Sequence, residues 1–344
     1  MRLVSQWESK LHEHHSTLPR QSRCAITLHH WYRKFDPAQI NHCFSEIVAL
    51  GAGIVRMDIR WMDIIPDGHT MDATAMAWYQ GYIRTAIEHH GLRPLIVLSN
   101  PPENVLALKP TSRIIAWNRY IDIIASHFVK YCSEYQLMNE LNNPVYRFLP
   151  FEHATEAIST AACILKAARP DTRIWFNVLA DLFGWRRFLE KCIICLGSTI
   201  DVYGIDCYPH TWAIGISDPW SRLSREMANI IDSHPATRFA ILETGYSTNI
   251  PFLRTERNQI LFFKQLDKFA RFLDSKSYLE CVALFEISDQ DSRTLLFDPE
   301  AHFGIIKVNP FSRKSSFETV MKTINAIDSR TIPTNVSLPS SSWC

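Results

Sequence analysis

Two glutamates sit where apolar runs come to an end. Tyr135 opens a run that closes on Met138-Asn139-Glu140-Leu141-Asn142, and Arg238 opens one that closes on Leu242-Glu243-Thr244-Gly245-Tyr246. A carboxylate behind three or four apolar residues is expensive to bury, so each glutamate needs a reason for its place. Two carboxylates facing each other can flank a single bond, one protonating the leaving oxygen while the other stabilises or attacks the carbon. Glycoside cleavage needs such a pair. Either glutamate alone reads about equally well as a paired structural carboxylate, but two of them at matching run ends are hard to credit to accident.

The elements that must position them alternate along the chain. Eight short runs, rich in β-branched and aromatic residues, cover 24–31, 53–61, 92–99, 135–142, 173–180, 201–209, 238–247 and 281–290. Each is nearly continuous in hydrophobicity, as a strand buried on both faces should be. Between them lie stretches of helical period, which is the signature of parallel strands covered by helices. Asp36-Pro37, Asp72 and Ser112 mark helix starts, and Gly51 and Gly91 mark helix stops. Further helices are expected over 152–168, 185–195, 221–233, 254–275 and 315–328. An open sheet of eight strands would leave two edges to protect, so the pattern predicts a single (β/α)8 barrel over 23–328. Residues 1–22 read as an N-terminal arm or accessory helix, and 329–344 as a flexible tail. Reactive groups of such a barrel project from the C-terminal strand ends, and strands four and seven stand on opposite sides of its axis.

With those residues in place, the chain resembles glycoside hydrolase clan A over about residues 24–310. Members of that clan are (β/α)8 enzymes with an acid/base glutamate after strand four, commonly preceded by asparagine, and a nucleophilic glutamate on strand seven. Asn139-Glu140 and Glu243-Thr-Gly-Tyr match these segments. Arg56, in GIVRMDIRW, looks like the clan's strand-two arginine beside the nucleophile, and Tyr208, in GIDCYPH, like its strand-six tyrosine. A cation and a hydrogen-bond donor would keep Glu243 ionised. Arg56 also reads as an ion-pair partner of Asp58 or Asp206, and Tyr208 as a core aromatic with a satisfied hydroxyl. Strand eight departs from the clan: many members present a tryptophan there, and this chain has Leu284-Phe285-Glu286-Ile287-Ser288-Asp289. Phe285 then supplies a smaller platform, while Glu286 and Asp289 either bind sugar hydroxyls or form salt bridges. His29, His30, Trp31, Asn100, His210 and Trp212 follow strand ends and are candidate sugar contacts, packing or surface being the other reading for each.

The resemblance implies a retaining O-glycosidase that acts on a β-linked glycoside without metal or organic cofactor. Asn139 would hold the sugar's 2-hydroxyl. A carbohydrate-binding barrel without turnover, and a transglycosidase using the same residues, are the rival readings. Other chemistries find little support. Neighbouring histidines in Leu28-His29-His30-Trp31 point to opposite faces of a strand, unlike a His-x-His metal pair, and His12, His14 and His15 lie outside the barrel. Only 11 glycines occur, with no phosphate-cradling loop and no Gly-x-Ser-x-Gly elbow. Lys plus Arg (36) nearly balances Asp plus Glu (35), so neither nucleic acid nor a membrane surface is an expected partner. Nine scattered cysteines are expected to be mostly reduced, and no leader resembling a signal peptide is visible, which together predict a cytoplasmic protein.

Overall fold

A computed structural model describes residues 22–29, 32, 36–212, 218–249, 254–277, 279–290, 298–308 and 310–330. Eight parallel strands form a closed barrel in sequence order: β1 (Cys24–Leu28), β2 (Ile54–Arg60), β3 (Arg93–Ser99), β4 (Glu134–Leu137), β5 (Arg173–Leu179), β6 (Val202–Asp206), β7 (Phe239–Thr244) and β8 (Leu279–Leu284). Closure is made by β1 on β8, with Cys24 opposite Val282. Eight helices alternate with them: α1 (Pro37–Leu50), α2 (Ala73–Arg84), α3 (Pro110–Phe128), α4 (Phe151–Ala168), α5 (Trp185–Leu196), α6 (Pro219–Ser233), α7 (Glu256–Lys276) and α8 (Phe317–Asp328). No helix of the described residues is long and apolar enough to cross a membrane.

Helix starts follow local chemistry. The Asp36 side chain accepts from Ala38 N, and Gln39 reaches back to Asp36 N in a capping box with Pro37 at the first turn. Asp72 caps α2 through Thr74 N and Ala75 N. Gly51 ends α1 at φ 95°, and Gly91 follows the widened last turn Thr85–His89 at φ 62°. The third helix is different. It starts on Pro110, ahead of the expected Ser112, because proline's fixed φ suits the first turn and needs no amide donor there.

Strand alternation divides the core in two. Ala25, Ile54, Leu95, Trp175, Val202, Ala240, Leu242, Cys281 and Ala283 plug the barrel interior. Alternate residues such as Ile26, Val55, Ile96, Phe176 and Ile241 face outward and pack on the helices through Phe44, Tyr82, Trp117, Leu165, Met227, Phe263 and Ile324. At the N-terminal end Arg23 staples β1 to the last two helices, making paired bonds of 2.8 and 2.7 Å to Asp274 and one of 2.8 Å to the Ile327 carbonyl.

Most strands stop earlier than the apolar runs do. β4 ends at Leu137 rather than 142, because Met138 (φ 62°) and Glu140 (φ 44°) take left-handed backbone and turn the chain across the barrel mouth. Beyond β6 and β8 the hydrophobicity continues because Tyr208 and Phe285 pack with Phe303 in a third cluster above the plug. Arg330 extends the barrel two residues past 328, pairing with Asp267 at 2.5 Å and Asp274 at 3.0 Å. The expected arm at 1–21 and the rest of the tail, 331–344, lie outside the described residues. All eight described cysteines are free thiols, six buried, with Cys163 and Cys195 exposed. Cys192 and Cys195 are three positions apart on α5, a Cys-x-x-Cys spacing that reading the cysteines as scattered and unpaired overlooks; Cys192 is buried and Cys195 exposed, both free thiols.

Gly204 shows how tightly the plug is filled. A Cβ there would lie 2.4 Å from Leu242 Cδ1 on the neighbouring strand. Overpacking of this kind costs about 1–3 kcal/mol, so Gly204→Ala should lower the unfolding free energy by that amount in a denaturant titration, with the helical content of the native state unchanged. An unchanged midpoint would mean that the plug has slack beside β6.

Candidate active site

On β2, β5 and β6 the inward series begins in the plug and ends on polar residues above it. On β2 the inward series runs Ile54, Arg56, Asp58; on β5, Trp175, Asn177; on β6, Val202, Gly204, Asp206. These residues meet at the barrel mouth. Glu243 joins them through an irregularity. Ile205 pairs with Ile241 and Asp206 with Glu243, so two steps on β7 oppose one on β6. The extra residue re-aims Glu243, which strict alternation would send outward with Ile241. Gly245 follows, where a Cβ would lie 1.9 Å from the Phe285 carbonyl oxygen, so only glycine lets the ends of β7 and β8 approach this closely.

Glu243, 5% exposed, is held at both oxygens. Arg56 Nη1 stands 2.7 Å from Oε1, and the Tyr208 hydroxyl donates to Oε2 at 2.5 Å. Arg56 thus pairs with Glu243 rather than Asp58 or Asp206, and also donates to Gln136 Oε1 (2.9 Å) and Asn139 Oδ1 (3.2 Å). Burial alone would favour loss of its proton, but Glu243, Asp206 and Asp58 outweigh that and raise it.

Glu140 lies opposite in a different setting. Its backbone N donates to Asn177 Oδ1 at 2.9 Å, and its Oε2 accepts from Asn143 Nδ2 at 2.7 Å. Burial, and secondarily the charge of Glu243, push its carboxyl up to about 8, against smaller lowering effects of Asn143, Asp206 and Arg56. Asn139 Oδ1 accepts from Arg56, Gln136 (2.9 Å) and Asn177 (2.8 Å), and its amide hydrogens have no partner among the described residues.

A third carboxylate completes the group. One oxygen each of Glu140, Asp206 and Glu243 lie within 4.8 Å of one another, all three residues buried. Burial, then the charges of Glu243 and Glu140, hold the Asp206 carboxyl well above the usual range. A divalent ion drawn to the three would have to displace the Arg56 guanidinium from Glu243.

These groups open into a cleft of about 780 Å³. One side is polar, with His29 Nε2 at 3.2 Å from Asp58, and with Arg60, Ser99, Asn100 and Gln290. The other is apolar, carrying Val145, Tyr146, Leu182 and a 40% exposed Trp212. Phe285 lines the floor, edge-on to His29 at a centroid distance of 4.9 Å. Asn100 takes left-handed backbone at φ 60° at the cleft wall, and His210, at φ 70°, is exposed and does not line it. Two predicted contacts stand elsewhere. Glu286 is 1% exposed and sits behind the wall, accepting from Gln290 at 3.1 Å and lying 3.9 Å from His29 Nδ1. Asp289 is taken up by buried Lys314 at 2.7 Å and by the β8 loop, so it is a structural ion pair rather than a sugar contact. His30 and Trp31 lie outside the described residues. Sequence reasoning missed Asn177, Asn143, Gln136, Tyr146 and the siting of Asp206. Asn177 and Asp206 carried the signal used for the glutamates, a polar residue inside an apolar run; loop residues Asn143 and Tyr146 carried none.

No family model matches the chain, and no curated protein sequence matches it. Solved structures do. A family 39 glycoside hydrolase from Bacteroides cellulosilyticus WH2 aligns with a TM-score of 0.61 and 16% identity over 89% of this chain, which spans only 64% of that protein's length. A family 1 β-glucosidase from Thermotoga maritima aligns with a TM-score of 0.67 and 12% identity, covering 91% of this chain and 99% of that one. The AHE enzyme from Alicyclobacillus herbarius aligns at 0.65 and 13% identity, over 85% and 86% of the two chains. At these identities the likeness is one of fold: the chain is built on the (β/α)8 barrel found in family 1 and family 39 glycoside hydrolases.

Proposed function

We propose that the protein is a retaining glycoside hydrolase acting on a β-linked glycoside, with Glu243 as nucleophile and Glu140 as acid/base. The observation that carries this reading is the unequal setting of the two glutamates. Glu243 touches a buried guanidinium and a phenol, while Glu140 has an amide and the Asp206 carboxyl beside it, touches no cation, and keeps its proton at neutral pH. A carboxyl kept protonated by burial, opposite one in contact with a cation, is the arrangement of an acid paired with a nucleophile. One oxygen of Glu140 lies within 4.8 Å of one of Glu243, which supports the short separation of roughly 5–5.5 Å of retaining enzymes over the wider inverting gap. β-Glucosidases are among the proteins that share the fold.

In the first step a Glu243 oxygen attacks the anomeric carbon while Glu140 gives its proton to the departing oxygen, which leaves as an alcohol. Water then loses a proton to Glu140, and its oxygen displaces Glu243. Tyr208 and Arg56 accommodate the charge that leaves Glu243 and returns to it. The free amide hydrogens of Asn139 donate to the hydroxyl next to the anomeric carbon, and the apolar side of the cleft takes the leaving group.

Three outcomes follow. Glu140→Ala should slow substrates with poor leaving groups by about 10²–10⁴-fold and reactive aryl glycosides far less, since the latter need little protonation. Glu243→Ala should abolish turnover of both kinds, because no covalent intermediate forms. The opposite pattern in a leaving-group series would reverse the two roles, and a wild-type protein that binds sugars without cleaving any aryl glycoside would leave a binding barrel instead.

In the pH profile, kcat/KM should fall above about 8 as Glu140 loses its proton. Asn143 stabilises the ionised form of Glu140, so Asn143→Ala should raise the carboxyl and move this basic limb to higher pH. A limb that stays still or moves down would show that another group sets it.

A further inference from the structure

Asp206 is not needed as nucleophile or acid, yet it is wholly buried between them. Glu140 and Asn177 face it from the β4 and β5 side, Glu243 from β7 and Arg56 from β2, with Cys207 and Tyr208 next on its own strand. Asn177 fixes the orientation of its carboxyl. Because Asn177 Oδ1 accepts the Glu140 amide, Nδ2 must be the donor that meets Asp206 Oδ2. Oδ1 is left buried with no partner. Arg56 is the one cation among these neighbours, and its guanidinium is spread over Glu243, Gln136 and Asn139. An anionic Asp206 would therefore stand against two other carboxyls with one amide to support it.

We propose that Asp206 is a positioning residue that stays a neutral carboxylic acid and donates its Oδ1 proton as a hydrogen bond to Glu140 once Glu140 has become a carboxylate. No covalent bond changes at Asp206. When Glu140 has released its proton to the leaving oxygen, it is a buried anion that must wait for water, and the Asp206 O–H and the Asn143 amide together hold it. The kinetic role rests on the glycosidase reading; the protonation state does not.

The test uses the full chain with Asp206→Asn and Asp206→Ala. In the asparagine variant the side-chain carbonyl takes the Asn177 bond and its NH2 faces Glu140, so the donor survives without a titratable proton. An aspartic acid kept neutral in the folded state ionises in the unfolded chain above about pH 4, so the wild type loses stability as pH rises from there. The unfolding midpoint of the asparagine variant relative to wild type should therefore climb between about pH 4 and pH 7. A difference that is flat or falls means that Asp206 is charged in the fold, and overturns the proposal whether or not the protein is an enzyme. With a reactive aryl glycoside, for which the second step limits turnover, Asp206→Ala should lower kcat by about ten-fold or more and Asp206→Asn should recover most of that loss. Equal losses in both variants, or a basic limb in the asparagine variant displaced downward by about a unit or more, would also overturn it, since either shows that Asp206 acts through packing or through charge.

Discussion

A guanidinium at the axis of a barrel is tolerable only when its charge and its donors are both met. Arg56, 1% exposed, is met by Glu243 at 2.7 Å, Gln136 at 2.9 Å and Asn139 at 3.2 Å. Removing one partner of a buried pair of this kind typically costs about 3–5 kcal/mol, because the other charge stays behind unmatched. The remaining groups of the site are set by this network. Asn139 keeps its oxygen toward the barrel because three donors converge on it, and so its NH2 points the other way. Asn177, which supplies one of those donors, uses its own oxygen to hold the Glu140 backbone. Glu140 is thus placed by the same network that orients Glu243.

Barrel geometry explains why the network forms where it does. Inward positions one layer down are apolar and fill the interior, with Trp175, Leu242 and Val202 as the plug. One layer up, the strands run out of partners and the chain must turn. The left-handed residues Met138 and Glu140 and the extra residue on β7 are the local departures that swing both glutamates over the axis. Regular strands would have sent Glu243 into the helical layer. The left-handed non-glycine residues Asn100, Met138, Glu140 and His210 all stand at strand ends or in the loops beyond them.

Much of this was legible before any coordinates. Eight apolar runs separated by capped helical segments lead to a closed barrel because burial on both faces leaves little other choice. Glu140, Glu243 and Arg56 stand out since ionisable groups inside such runs are costly. The same signal at Asp206 was read as a partner for Arg56, because a register shift on the neighbouring strand cannot be seen in a sequence. Of the two readings of Asp289 the salt bridge is the one found, and its partner was not legible because Lys314 is distant along the chain and arrives through the turn that precedes α8. Asn143 sits in a polar loop, where an amide costs nothing to expose, so neither composition nor period marks it. Strand ends were overrun wherever loop residues such as Tyr208 and Phe285 are themselves core.

The division of labour proposed for the two glutamates does not follow from strand number. It follows from contact. Three carboxyls share the throat of the barrel with one guanidinium, and only Glu243 touches it. In a medium of low polarity the favourable arrangement puts the negative charge on the carboxyl in contact with the cation and protons on the others. Glu140 is raised by burial first and by the charge on Glu243 second, so the ionised nucleophile itself helps to keep the acid protonated. In the proposed mechanism Glu243 would become neutral on bonding to a sugar, that repulsion would disappear, and Glu140 would hold a negative charge more easily at the moment it has to act as a base. On that mechanism one buried ion pair would couple the protonation of Glu140 to the covalent state of Glu243, with no moving part required.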